Sequence, residues 1–325
     1  MATYKGIQGH SVQTLASDPS PTASVEGQLW YNSTSGTYKI AIAGAGAWAA
    51  GENLIAANWD MAGAGIQTAA LMMGGQNPGA QGITTVDAYN GLAWSNVNGL
   101  TTGRYRCRGV GIQTAALTIG GNTGSISALV ESYNGTSWTE AAADLNTARS
   151  DMGTAGTSTA GLAFGGQEPG STAVCETWNG STWTEIGNLN KATVGQAGFG
   201  TNTAALSAGG SPYTPSTMKW NGTSWTAVNN INTPRRFCSG SGTSTAGIIW
   251  GGWTSPDADS ALTESYDGTS WTEVADLATS SAFGAAGVSS PNTLSIAFGG
   301  IQPTPSNATE EWNGAPIGVK TVTTS

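Results

Sequence analysis

Short apolar runs recur along this chain at a nearly fixed interval. Each ends in a Gly-Gly pair, at Gly74, Gly120, Gly165, Gly209, Gly251 and Gly299. The first and last pairs lie 225 residues apart over five intervals, a mean period of 45. The unit is clearest from Glu131 to Gly166, and a repeat of that length signals a solenoid, a propeller or an array. Within it, apolar and polar residues alternate in short stretches with almost no helical periodicity. An aromatic-Asn-Gly turn stands at Tyr89-Asn90-Gly91, Tyr133-Asn134-Gly135, Trp178-Asn179-Gly180, Trp220-Asn221-Gly222 and Trp312-Asn313-Gly314, with Asp267 replacing Asn after Tyr266. Asn-Gly between apolar stretches predicts a hairpin with both residues at its centre. Five residues past each aromatic comes a tryptophan, at Trp94, Trp138, Trp183, Trp225 and Trp271. Six or seven residues further stands Leu100, Leu145, Leu189, Ile231 or Leu277. A strand of small residues, a Thr-rich turn and a second strand complete the unit. Four short strands per period suit propeller blades.

The repeat frame begins with Trp48, which reaches Leu54 and Gly74 by the same steps that lead from Trp94 to Leu100 and Gly120. A fourth strand thus precedes its own first three. At the other end, Glu310-Glu311-Trp312-Asn313-Gly314 supplies a third strand and turn with no tryptophan after it. The two deficits are complementary, so a six-bladed ring closes if the Trp48 strand joins the last blade. Gly318-Val319-Lys320-Thr321-Val322 also alternates like a strand and offers a second closure. The expected fold is all-β: a six-bladed propeller with four-stranded blades over residues 48–325, after a short extension over residues 1–47.

That extension lies outside the repeat. Trp30-Tyr31 and Tyr38-Lys39-Ile40 flank a polar turn, which predicts one hairpin. Ser17-Asp18-Pro19-Ser20-Pro21 reads as a stiff extended linker. Residues 1–16 are weakly patterned and are expected to be disordered unless a partner holds them. Trp30 and Tyr31 are the candidate attachment residues, to a partner surface or folded back onto the propeller.

Composition narrows the function. Glycine is 48 of 325 residues and charged residues are 10%, but 13 tryptophans in register argue against disorder. A net charge of −9 argues against nucleic-acid binding. No apolar run is long enough to span a bilayer and no signal peptide is evident. Of the three cysteines, Cys107 and Cys238 share a repeat position with Met61 and Met152, as expected of a soft buried packing site. The single histidine, His10, lies outside the repeat. Ser-His-Asp, zinc and multi-histidine copper chemistry therefore lack their residues, and neither a cofactor nor a metal is expected.

The carboxylates Asp87, Glu131, Glu176, Glu264 and Glu310 each stand two residues before the aromatic of their repeat. A residue needed once for catalysis is not repeated five times, so these read as structural and no enzyme activity is expected. Arg104, Arg149 and Arg235 each lie four residues after the landmark Leu or Ile, with Arg106, Arg108 and Arg236 beside them. Two readings stand for these six: blade-to-blade salt bridges with the periodic carboxylates, or an anion-binding or partner-binding face. Tyr213, Trp250 and Trp253 lie near the Gly-Gly ends, where the loops vary most. They are candidates for a sugar-binding surface, or for packed turns.

The apolar run into Gly-Gly, followed by an aromatic and a tryptophan, resembles the kelch propeller repeat over residues 48–314. The whole chain resembles the kelch-like structural proteins of marine tailed bacteriophages, and EGQLWYNSTSGTYK resembles a short module of their tail fibres. The resemblance implies a virion protein of the tail or fibre apparatus, assembled in the bacterial host cytoplasm and used in host attachment. Its expected partners are other virion proteins or sister copies through residues 1–45, and a host surface glycan at the propeller. An architectural decoration or adaptor subunit is the alternative, and an enzyme acting on polysaccharide a third.

Overall fold

The computed structural model describes residues 12–19, 28–43, 46–286, 292–301, 304–314 and 317–322. Every regular element among them is a β-strand. The chain divides into two compact units, one of Met1–Gly46 with Gly314–Ser325, the other of Ala47–Asn313.

In the first unit, Leu29–Asn32 and Thr37–Ala43 form the expected hairpin, with Trp30 opposite Lys39 and Tyr31 opposite Tyr38. Gln13–Leu15 joins it in parallel, and Ile317–Thr321 adds a fourth, antiparallel strand. The C-terminal strand therefore belongs to this sheet, which corrects the reading of 48–325 as one propeller. Asp18 is part of the same unit: its carboxylate accepts hydrogen bonds from Asn32 Nδ2 at 2.7 Å and Trp30 Nε1 at 3.1 Å. These bonds hold the Asp18 carboxyl below its ordinary value. Residues 1–11 and 20–27 lie outside the described residues.

The second unit contains six four-stranded antiparallel sheets among its described residues. The second sheet is representative. Arg108–Ile112 pairs with Ala115–Ile119, which pairs with Val130–Tyr133, which pairs with Trp138–Glu140. The second strand is buried along almost its whole length, whereas Trp138–Glu140 buries only its tryptophan. The near-continuous apolar run of the second strand and the polar Thr139 and Glu140 of the fourth match this difference in burial. In the sixth sheet the fourth strand is Ala47–Ala50, paired with Thr309–Asn313.

The predicted hairpins form, but their centre is shifted by one residue. Tyr89 faces Trp94, so the two central residues are Gly91 and Leu92 rather than Asn90 and Gly91. Only the glycine is left-handed, with φ +87°, at the first central position that type II′ turns reserve for it. Asn90 precedes the turn and its Oδ1 accepts the amides of Leu92 and Ala93, both at 2.9 Å. The aromatic and the tryptophan then face each other across the strands, with ring centroids 4.9 to 5.4 Å apart in five sheets.

The first strands approach one another too closely for side chains at some positions. A Cβ on Gly109 would lie 2.3 Å from the Gly63 carbonyl oxygen, and one on Gly63 2.2 Å from that of Ala286. Just before these strands runs a cycle of backbone hydrogen bonds. Arg106 N–H donates to Asp60, Asp151 to Arg106, Gly195 to Asp151, Phe237 to Gly195, Phe283 to Phe237, and Asp60 to Phe283. All six residues have φ between 50° and 71°. Each stands six residues after its landmark Leu or Ile.

Candidate functional site

The six arginines separate by burial into two groups. Arg104, Arg149 and Arg235 are fully buried and form salt bridges with Glu131, Glu176 and Glu264 at 2.5, 2.8 and 2.7 Å. Each fork links two sheets. The Arg149 carbonyl accepts Gly121 N–H of the second sheet, while its guanidinium donates to Gly165 O, Val174 O and Glu176 of the third. The same glutamates accept amides at the start of the connector, as Glu131 does from Thr101 and Thr102. A planar guanidinium suits this role because it can serve several acceptors in fixed directions. With no surface exposed, these three arginines drop out of any anion-binding face.

Arg106, Arg108 and Arg236 lie instead at the hydrogen-bonded cycle. The side chains of the cycle divide into a charged half and an aromatic half. On the charged side, Arg106 Nε lies 3.4 Å from Asp60 and 3.7 Å from Asp151, and Arg108 lies 3.8 Å from Asp151. Both carboxylates are buried, whereas the Arg106 side chain is 38% exposed. Burial pushes the Asp151 carboxyl up to about 7, with Arg108 opposing, and raises Asp60 against the pull of Arg106. Gln76 donates to Asp60 at 2.8 Å.

On the aromatic side, Phe237 and Phe283 stack at 4.3 Å and Trp253 meets the Phe283 ring edgewise at 4.7 Å. Arg236 is held among three rings, its Cζ 4.8 Å from the centroid of Tyr213, 5.2 Å from Trp253 and 5.3 Å from Phe237. Asp257 receives Arg236 Nη2 at 2.5 Å and the Tyr213 hydroxyl. Trp253 Nε1 donates to Asp259 at 2.7 Å. Tyr213 and Trp253 are thus on one surface, contributed by loops of the fourth and fifth sheets. Trp250 is a correction: it is 3% exposed and packs against Trp48 at 5.1 Å. Trp30 is likewise buried in the other unit, while Tyr31 packs on Tyr38 at 5.2 Å.

The cavity lined by the first strands, including Arg108, Thr154 and Phe237, holds about 40 Å³. That is room for a few water molecules and far less than a sugar ring needs. The space between the sheets therefore cannot hold a ring of that size. At the end of the sheets, the rings of Trp253 and Tyr213, the guanidinium of Arg236 and the exposed Arg106 place apolar surface beside fixed hydrogen-bond donors. Among the described residues no group of three or more His, Cys, Asp and Glu is placed to hold a metal. His10 lies outside them. Cys107, Cys175 and Cys238 are buried thiols, and burial raises all three.

Asp60, Asp151, Phe237, Phe283 and Asp257 escaped the sequence reading. For the first four the signal was the sixth position after the landmark Leu or Ile, where residue type varies without a pattern; Asp257 lies in the variable loop after Gly251-Gly252. No protein-family model matches this chain, and no curated protein matches it.

Proposed function

We propose that Ala47–Asn313 is a closed six-bladed propeller of the kelch kind, and that the chain is a bacteriophage virion protein whose propeller end binds host-surface glycan without catalysis. Six four-stranded sheets and a six-membered cycle of backbone hydrogen bonds support the blade count and closure. The observation that carries the function is the Tyr213–Arg236–Trp253 cluster. Half-exposed rings fixed around a guanidinium, in loops that vary between repeats, suit a sugar's apolar face and its hydroxyls. The virion assignment rests on the sequence resemblance described above.

The test is binding of the intact chain to an array of bacterial surface glycans, repeated with Tyr213→Ala and Trp253→Ala. Binding that both variants weaken at least tenfold supports the reading. Absence of any glycan binding, or binding indifferent to both, overturns it. An architectural subunit is the second reading, favoured by Ile66 and Ile112. These end the first strands of two adjacent sheets, opposite the cycle, and are 38% and 51% exposed. Co-purification with a virion protein, lost on Ile112→Asp, would favour it.

A further inference from the structure

The sixth sheet repeats the arginine fork with the arginine missing. The position of Arg104, Arg149 and Arg235 is occupied there by Ser281, four residues after Leu277. Everything else in the fork persists. The Ser281 carbonyl accepts Gly252 N–H at 2.7 Å, as the Arg149 carbonyl accepts that of Gly121. Ser281 Oγ donates to Gly299 O at 3.1 Å, the carbonyl equivalent to Gly120 and Gly165. Glu310 stands where Glu131 and Glu176 stand, 7% exposed, and accepts Ala278 N–H at 2.8 Å. Its guanidinium partner has no counterpart among the described residues, and burial raises its carboxyl.

A cavity of about 20 Å³ fills the gap, lined by Leu277, Ser281, Gly299, Ala308 and Glu310. In the second sheet the equivalents of Gly299, Ala308 and Glu310, namely Gly120, Leu129 and Glu131, are the groups that receive the Arg104 guanidinium. One water-sized body needs roughly 10–15 Å³ of such space. The other two sheets without an arginine have removed the need for one. In the first, Asn58 Nδ2 bonds Gly74 O at 2.8 Å and Asp87 is served by Asn96 at 3.1 Å. In the fourth, Thr193 is matched by Met218 in place of the carboxylate. Among the described residues the sixth sheet keeps a buried carboxylate, carbonyl oxygens and a void together.

We propose that this cavity binds a monovalent cation about the size of a water molecule, potassium or ammonium, in place of the missing guanidinium. Carboxylate, carbonyl and hydroxyl oxygens are ligands for such hard cations, and the ion would neutralise a buried charge. A cation that binds only the folded state raises its thermal stability by mass action. The experiment compares the melting temperature of the full chain in KCl, NH4Cl and choline chloride at equal ionic strength. The expected result is a rise of a few degrees in potassium or ammonium over choline. Ser281→Arg, which installs the guanidinium, and Glu310→Gln, which removes the charge, should each abolish that difference. Crystals soaked in thallium(I), a potassium mimic, should show an anomalous peak beside Glu310. Equal melting in all three salts overturns the proposal, as does a difference that persists in Glu310→Gln or a thallium soak with no peak. If Ser281→Arg does not fold, the Glu310→Gln comparison and the soak still decide.

Discussion

Trp48 stands directly opposite Trp312, 264 positions later in the chain, with their ring centroids 5.5 Å apart. The pair repeats the aromatic–tryptophan pairs of the other five sheets, except that its members come from the two ends of the unit. Trp48 Nε1 also donates to Thr263 Oγ1 in the neighbouring sheet at 3.0 Å. Trp48→Ala should therefore lower unfolding stability by about 3 kcal/mol, as read from denaturant titration. Deleting residues 1–53 should have a different outcome: Thr309–Asn313 becomes an open edge and the protein aggregates. A soluble, monodisperse deletion product would contradict the role given to this strand.

The arginine forks lead to a second prediction. Arg149→Ala leaves Glu176 charged, buried and without its counterion, and should cost about 3–5 kcal/mol. The fourth sheet shows how the chain manages without a fork, with Thr193 and Met218 at the two positions. Arg149→Thr combined with Glu176→Met should accordingly be less damaging than Arg149→Ala alone. Chemical denaturation of the two variants checks the order, and the reverse order would refute it.

Two tryptophans donate to a threonine one sheet away, Trp94 to Thr309 and Trp48 to Thr263. Trp138 and Trp183 face Val86 and Val130 at that place, and their indole N–H groups have no acceptor. Val130→Thr should supply one to Trp183. The expected gain is about 0.5–1 kcal/mol, offset in part by the lost methyl burial. Slower hydrogen exchange of the Trp183 indole would be the direct readout. Exchange as fast as in the parent protein would rule the bond out.

Asp151 predicts a pH dependence. Its folded carboxyl titrates near 7, above its ordinary value of 3.8. The folded state thus favours the protonated form, so this group's contribution to stability is highest at low pH. It declines as pH rises from about 4 to about 7. Asp60 is raised too and acts in the same direction. Asp151→Asn cannot ionise, so its melting temperature should gain on that of the parent chain as pH increases across this window. A constant difference between pH 4 and 8 would mean that the carboxylate is not strained by burial.

Much of this was legible before any coordinates. The Gly-Gly spacing and the tryptophan register marked six units because both are side-chain requirements: no Cβ fits at Gly120, and Trp138 fills the space between sheets. The pairing of the Trp48 strand with the Trp312 strand was legible as a matching deficit at the two ends. The Asn-Gly turn was placed one residue off because Asn90 acts through its side chain, capping amides, rather than through its own backbone angle. The arginines were grouped as one face because neighbours such as Arg104 and Arg106 are only two positions apart in sequence. Their burial differs completely, since one enters the next sheet and the other ends at the cycle. The cycle itself left no trace in residue type, because it is made by amides and carbonyls.

That last property has a consequence for how such a surface can change. Asp60, Arg106, Asp151, Gly195, Phe237 and Phe283 share one backbone geometry, while their side chains range from carboxylate and guanidinium to phenyl and hydrogen. The perimeter is a frame of amides and carbonyls to which each repeat contributes one residue. Substituting Arg106 or Phe283 would change the side chains at this rim, whereas the bonds of the circuit are made by backbone amides and carbonyls alone.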